Sequence, residues 1–392
     1  MAMRRDENMM NGEDVVCIAA NPWDSLWRRR QHVMSRISNY SRVLYLEPSV
    51  FWVKLLARRK LFKEVKNNLY VFSQVNLLPL NRFRAIRHIN DRINRLFIRI
   101  ILQRLRFKNI ILWVYYNQDY KDFIGAFGEK IICYDCYDKY VEFYTDRKAK
   151  QRAEEWEKRI LSKADIVFAV SEMLCDDLRK HNQNVHFSPN GVDLELFSAS
   201  NYGKGIHPKL LSIKKPILAY SGSFKSKVDL DLLAIVTEKL PECSLVLMGP
   251  METDNDEWIK KFKQLTGREN VFYFGCMKRE ELPSCFNAVD VFLLPFSAVG
   301  MNYYSCPNKI NEYFTSGKPV VAYDPYDKYS KMEVIRCGKT YEEVVFHIRD
   351  ALLRPDNLAE RRKKIAREYS WDNIVPEMLE KIKMDPLRGI RS

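Results

Sequence analysis

The segment Cys306-Pro307-Asn308-Lys309-Ile310-Asn311-Glu312-Tyr313-Phe314-Thr315-Ser316-Gly317-Lys318-Pro319-Val320-Val321 holds the residue types best spaced to do chemistry. Pro307 suits the first turn of a helix and Gly317 its end. The start of such a helix offers N–H groups and positive dipole, a ready site for phosphate. Glu312 lies about one and a half turns in, where a carboxylate can accept hydrogen bonds from a ribose diol. The plainer alternative is a well-capped helix with a surface Glu. A second segment, Ala219-Tyr220-Ser221-Gly222-Ser223-Phe224-Lys225-Ser226-Lys227, follows an apolar run. Its Gly222-Ser223 turn lets backbone approach a ligand, and Lys225 or Lys227 can counter a diphosphate. A simple strand-to-helix turn accounts for it equally well. The third, Ser188-Pro189-Asn190-Gly191-Val192-Asp193, is a tight turn, because Asn-Gly suits positive φ.

These segments need a frame, and the apolar pattern supplies one. Strands are expected at Asp14–Ala20, Arg42–Glu47, Leu69–Val75, Asn109–Tyr116, Lys130–Tyr134, Asp165–Ser171 and Val185–Ser188. A second series follows at Ile217–Ser221, Ser244–Met248, Asn270–Phe274, Val289–Leu294 and Pro319–Tyr323. Helical patterns alternate with them. Near-continuous apolar strands belong to parallel sheets covered on both faces, so the fold class is α/β with two Rossmann-like domains. The periodicity breaks between Ser198 and Lys215, which sets domains at 1–200 and 201–370, with a C-terminal helical segment at 371–392. Ligands of open α/β sheets bind beyond the carboxyl ends of the strands, and two such domains predict a site in the cleft between them.

Absent motifs narrow the chemistry. Ala20-Asn21-Pro22-Trp23-Asp24 stands where a GxGxxG would mark dinucleotide binding, and there is no P-loop, HExxH or GxSxG. With six histidines in no paired cluster, no metal is expected. Nine scattered cysteines, an odd number, predict reduced thiols in a cytosolic protein. Cys133-Tyr134-Asp135-Cys136 has CxxC spacing but lacks the second pair of a zinc site. The first residues show no signal peptide, and no run approaches the ~20 apolar residues of a membrane span.

The series Lys163-Ala164-Asp165-Ile166-Val167-Phe168-Ala169-Val170-Ser171, then Pro189-Asn190-Gly191-Val192-Asp193, then Pro307 to Val321, resembles glycosyltransferase family 4, of GT-B fold. Trp23-Asp24 with Arg30-Gln31-His32-Val33-Met34 is similar to a subgroup that builds bacterial surface polysaccharides of the teichuronic-acid type. The resemblance implies a nucleotide-diphosphate sugar held by the second domain, a glycan or lipid-linked acceptor held by the first, retained anomeric configuration and no required metal. It implies that Glu312 contacts ribose and that Pro307, Asn308 and Lys309 lie by the diphosphate. Gly222, Ser223 and Lys225 or Lys227 would lie opposite. The first Glu of the family's E-x7-E pattern is replaced by Tyr304. His32, with Gln31 beside it, and Asp135 and Asp138 after a strand end, are the candidates to act on the acceptor hydroxyl. Trp371 matches the start of a C-terminal helix that crosses back to the first domain, with a packing role.

Charge is concentrated in one place. Residues 51–108 hold 15 basic and 2 acidic side chains, against 49 and 48 in the rest, so the net +14 is nearly all local. A nucleic-acid binder would spread its charge more widely. On a helix over 81–102, Ile86, Ile89, Ile93, Leu96, Phe97, Ile100 and Ile101 share an arc of about 140°. Arg84, Arg87, Arg92, Arg95 and Arg99 fall opposite. Either that arc packs on the sheet, or it faces a membrane. Upstream, Phe51-Trp52-Val53-Lys54-Leu55-Leu56-Ala57-Arg58-Arg59-Lys60-Leu61-Phe62 mixes apolar anchors with cations and favours an anionic membrane surface. The expectation is a glycosyltransferase on the inner face of the cell membrane, with Trp52, Arg58, Arg59, Lys60, Arg84, Arg87, Arg95 and Arg99 meeting membrane or acceptor. A GT-B scaffold without turnover, serving a polysaccharide assembly complex, is the alternative that Tyr304 suggests.

Overall fold

The computed structural model describes residues 10, 12–55, 60–81, 83–116, 123–144, 146–203, 205–298 and 300–384. It divides into two units, one of Met1–Asn190 with Trp371–Ser392 and one of Gly191–Ser370. Residues 191–200, which the loss of periodicity places in the first domain, therefore pack with the second. There Val192 accompanies the second unit's apolar core, and Asp193 pairs with Arg279.

The first unit carries strands β1 (Val15–Ile18), β2 (Val43–Phe51), β3 (Phe62–Lys66), β4 (Leu69–Asn76), β5 (Ile111–Val114), β6 (Ile131–Cys136), β7 (Ile166–Ala169) and β8 (Val185–Phe187). Their order is β3-β4-β2-β1-β5-β6-β7-β8. All pairings are parallel except β3 with β4. Val15, Val16, Cys17 and Ile18 are all fully buried, which a parallel strand covered by helices on both faces requires. The chain winds outward from β1 to β2 on one side and later to β5 on the other, so the topological switch lies between β1 and β5. Beyond these two carboxyl ends a ligand crevice is expected.

The second unit has β9 (Ile217–Ser221), β10 (Ser244–Met248), β11 (Val271–Tyr273), β12 (Val291–Leu294), β13 (Val320–Tyr323) and β14 (Ile335–Gly338), in the order β11-β10-β9-β12-β13-β14. Every pairing is parallel. Its switch lies between β9 and β12.

Two strands escape the apolar pattern. In β3, Phe-Lys-Glu-Val-Lys alternates on an exposed edge, where lysines discourage pairing with another chain. In β14, four residues ending in Gly338 are too short to stand out. Part of the segment read as membrane anchors is thus sheet: Phe51 ends β2 and Phe62 begins β3.

The helix Arg84–Arg104 decides between the two readings of its apolar arc. Its buried residues are Asn90, Asn94, Ile98 and Leu102, at four-residue spacing. Asn94 accepts from Val75 N and donates to Val75 O, both at 2.9 Å, and Asn90 makes the same pair of bonds to Leu78, both at 3.0 Å. The two amides thus satisfy the backbone at the end of β4 and just after it, as buried polar groups must be satisfied. The isoleucine-rich arc does not pack on the sheet. Leu96 is 59% exposed, Ile89 46% and Phe97 45%.

Candidate functional site

In the second unit the site grows from the end of β9. Gly222 has φ 150° and donates to Met248 O; Gly249, at the end of β10, has φ 138°. A Cβ on Gly249 would collide with the Gly222 carbonyl, so two backbones meet here at a distance only glycine allows. The helix Lys309–Ser316 rests on the same edge. Its Tyr313 hydroxyl accepts from Ser221 N at 2.8 Å and donates to Ser221 O at 3.2 Å, while its ring stacks on Phe292 at 4.1 Å. Gly317 ends the helix in the left-handed region, as the sequence indicates.

Lys309 runs from the first turn of that helix to the glycine turn. Its Nζ donates to Tyr220 Oη at 2.9 Å and lies 4.4 Å from the Tyr220 ring centroid and 5.1 Å from that of Phe296. A Cβ on Gly222 would strike this ammonium group. Gly222 and Lys309 are therefore one feature, a cation set against bare backbone. Pro307 and Asn308 are half-buried just before the helix. Glu312, one turn on, is half-buried as well. Burial pushes its carboxyl above the ordinary range, against the pull of Arg279 and Lys309. Arg279 in turn holds Asp193 of the Asn-Gly turn at 3.0 Å.

The other expected residues are nearby in the chain but differently engaged. Ser223 O accepts from Tyr220 Oη at 3.4 Å. Lys225 pairs with Glu252 at 2.7 Å. The Lys227 carbonyl ties down Ser297 N and Asn302 Nδ2, at 3.0 and 3.1 Å. Tyr304, in the short helix Gly300–Tyr304, packs edge-on against Tyr303. That helix is fastened from behind by Lys328, whose ammonium group donates to Asn302 O at 2.7 Å and to Ser305 O. Arg279 and Lys328 carry no sequence signal, since each lies in a charged, polar stretch outside any motif. Tyr220 and Phe296 sit at strand ends, where aromatic residues read as core.

In the first unit the helix Arg29–Ile37 begins beyond the carboxyl end of β1. Gln31 is fully buried, and its Oε1 accepts from Arg28 N at 3.0 Å, so it caps the helix from within. His32 is 6% exposed, stacked on Trp371 at 5.2 Å and edge-on to Trp27 at 5.2 Å. Trp371 is 1% exposed, opens the helix Trp371–Lys383 and packs in this unit.

Asp135 is 0% exposed, with Oδ1 accepting from Arg29 Nε at 2.8 Å and Oδ2 facing Trp113 Nε1 at 3.4 Å. Burial pushes its carboxyl up, and Arg29 and these hydrogen bonds pull against it. Such a carboxylate has no face left for an acceptor hydroxyl. The expectation that it polarises one is corrected: Asp135 positions Arg29, which also donates to Ser188 O at 3.0 Å and Pro189 O at 2.9 Å. Asp138 differs, being half-buried in the turn after β6.

Of the basic residues expected at a membrane, Arg58 and Arg59 lie outside the described residues. Lys60, Arg84 and Arg99 are exposed, and Arg87 and Arg95 are half-buried. Arg99 donates to Ala126 O at 2.8 Å, and Trp52 is 43% exposed. No described helix is long and apolar enough to cross a membrane. Among the described residues no three His, Cys, Asp or Glu side chains gather as a metal site, and all nine cysteines are thiols.

Two parallel α/β units, each with polar groups at its switch-point edge, fit the GT-B class of sugar-transferring enzymes, and comparison with known proteins gives that class. The chain belongs to the glycosyltransferases: residues 11–196 match the model of glycosyltransferase family 4, and residues 215–360 that of glycosyl transferases group 1. It is 24% identical over 324 residues to TuaH of Bacillus subtilis (strain 168), named for a glycosyltransferase role in teichuronic acid biosynthesis, covering 78% of this chain and 79% of that one. Among solved structures, sucrose-phosphate synthase from Thermosynechococcus elongatus superposes with a TM-score of 0.73 at 15% identity, over 95% of this chain and 98% of that one. Anabaena HepE in complex with UDP and glucose gives 0.69 at 13% identity, over 95% and 99%.

Proposed function

We propose that the second unit holds a nucleotide-diphosphate sugar and that the protein passes the sugar, with retained configuration, to a lipid-linked glycan in surface polysaccharide synthesis. The observation that carries the donor half is Lys309, an ammonium group set against the bare backbone of Gly222 at the first turn of a helix. A diphosphate placed there meets a cation, a helix N-terminus and a glycine turn together, which favours its negative charge as it leaves the sugar. Glu312, about one turn further, is at the reach of a ribose diol. The titles of the HepE structures, solved with UDP and glucose and with UDP-glucose, support a donor of that class. TuaH supports the polymer.

The acceptor half rests on the first unit. Asp138 is half-buried in the turn after β6, and we assign it the acceptor hydroxyl, together with His32, which sits between the Trp27 and Trp371 indoles. The exposed apolar arc of the helix Arg84–Arg104, bordered by arginines, supports a peripheral membrane location on the cytoplasmic side, where a lipid-linked acceptor would be met. Donor binding is tested by titrating UDP-sugars into wild type, Lys309→Ala and Glu312→Ala. Loss of a charge-assisted phosphate contact should weaken binding by roughly 2 kcal/mol, about thirtyfold. Unchanged affinity in both variants would sink the donor assignment.

A further inference from the structure

Two consecutive arginines open the helix Arg29–Ile37, and both are almost wholly buried, at 2% and 1% exposure. Arg29 is fully answered: it bonds to Asp135, to the Ser188 and Pro189 carbonyls and to Ser188 Oγ. Arg30 is not. Among the described residues its one hydrogen bond runs from Nη1 to the Tyr137 hydroxyl at 2.6 Å, its guanidinium carbon lies 5.6 Å from that ring's centroid, and its buried Nε meets no acceptor. No carboxylate among the described residues pairs with it, and the nearby Asp135 is taken by Arg29. The groups around it are the thiol of Cys17 on β1 and the hydroxyls of Tyr45 on β2 and of Tyr137 and Tyr140 after β6.

A buried cation without a counter-ion is costly to the fold, and a neutral phenol is poor compensation. The position matters as much as the charge. Arg30 stands over the carboxyl end of β1, at the switch between β1 and β5, where an open parallel sheet receives its ligand. It also stands at the first turn of a nine-residue helix, whose dipole favours an anion. The Nε–Nη2 edge of a guanidinium is a planar fork that matches two oxygens of one oxyanion.

We infer that Arg30 is the anchor of an oxyanion subsite in the first unit, which takes the negatively charged group of the acceptor. The inference deepens the proposed function, since it names the acceptor's chemistry, and it rests on the reading that this unit holds the acceptor. Tyr137 holds the guanidinium at Nη1 and leaves the Nε–Nη2 edge for the ligand. The anion is a phosphate oxygen pair of a lipid-linked diphosphate or the carboxylate of a uronic-acid residue in the glycan.

The test uses the full chain, with UDP saturating so that the donor edge is filled, and titrates inorganic pyrophosphate, D-glucuronate and, as the neutral control, D-glucose. Wild type should bind pyrophosphate or glucuronate at least tenfold more tightly than glucose. Preference for pyrophosphate indicates the lipid diphosphate, and preference for glucuronate the glycan. Arg30→Lys keeps the charge but loses the fork and should lose at least tenfold; Arg30→Met should lose all preference. A purely structural arginine would leave Arg30→Met less stable, whereas an uncompensated binding cation leaves its melting temperature unchanged or raised. Wild type binding all three probes alike, or either variant keeping wild-type preference, overturns the subsite. Failure of Arg30→Met to fold would likewise mark the arginine as structural, and Arg30→Lys must then show the tenfold loss for the subsite to stand. UDP affinity, measured separately, must stay the same in both variants; its absence in wild type would instead count against the donor reading.

Discussion

Gly222 and Lys309 stand 87 positions apart in sequence, yet a side chain on the first would displace the second. Gly222→Ala should therefore act through Lys309. Its φ of 150° adds backbone strain, which the melting temperature reads, while the donor site reads the lost ammonium position. The expected loss of UDP affinity is about tenfold, near 1.4 kcal/mol. In a double-mutant cycle with Lys309→Ala the two losses should overlap, because both remove the same cation from the same place. Additive losses would show that Gly222 matters for its own backbone alone. At this scale the sequence displays Lys309, Glu312 and Gly222, since each belongs to a local pattern with a physical reason. It hides Arg279 and Lys328, which reach the site from distant segments. It misleads over Asp135, because an Asp at a strand end looks the same whether it meets solvent or a buried arginine.

The helix Lys309–Ser316 has only eight residues, too few to persist without support from the fold. Tyr313 holds it along one side, and Gly317 closes its end. The Gly317 carbonyl accepts from Arg362 Nη1 at 3.2 Å, and Arg362, 1% exposed, also bonds to Val334 O at 3.0 Å. Asp356 grips that guanidinium with both oxygens, at 2.8 and 2.6 Å. Burial works against the Asp356 carboxylate, but the hydrogen bonds and charge of Arg362 outweigh it and hold its carboxyl below the ordinary range. A lowered folded-state value means stability that is present above the unfolded carboxyl's value, about 3.9, and is lost as pH falls through the folded one. Asp356→Asn strands a buried cation and should cost about 3 kcal/mol near neutrality. Urea unfolding from pH 6 to pH 3 should show the wild type falling toward the variant as acid is added. Parallel curves at all pH values would refute the role of the pair. The elements themselves were largely legible, because long apolar strands and capped helices announce themselves by period. What periodicity left open was which face of the helix Arg84–Arg104 meets the sheet. Periodicity ranks faces by hydrophobicity, and here two asparagines, spaced to match an open backbone edge, are the better fit to the sheet.

That helix bears on the whole molecule, because it puts apolar area and charge on the same outer surface. Phe83 is 50% exposed and Leu80 54%, just ahead of the helix, and Leu96 and Phe97 continue the apolar residues along it. Residues 51–108 supply 15 of the chain's 64 basic side chains with only 2 acidic ones, so the net charge of +14 is a local field and not a general one. Near an anionic leaflet each cation contributes about 1 kcal/mol, so four suffice for a partition of roughly a thousandfold. The attraction fades beyond a Debye length of about 8 Å at physiological salt, which confines it to side chains at the surface. The protein should sediment with vesicles containing phosphatidylglycerol and remain in solution with phosphatidylcholine alone. Arg84→Glu with Arg92→Glu should weaken the association about a hundredfold or more, since each change removes an attraction and adds a repulsion. Leu96→Ser with Phe97→Ser should leave the encounter intact but make it fully reversible by salt, because the apolar anchor does not respond to screening. Binding to neither kind of vesicle would remove the membrane from the account, and equal binding to both would leave the apolar arc as the anchor and return the basic segment to a solvated face.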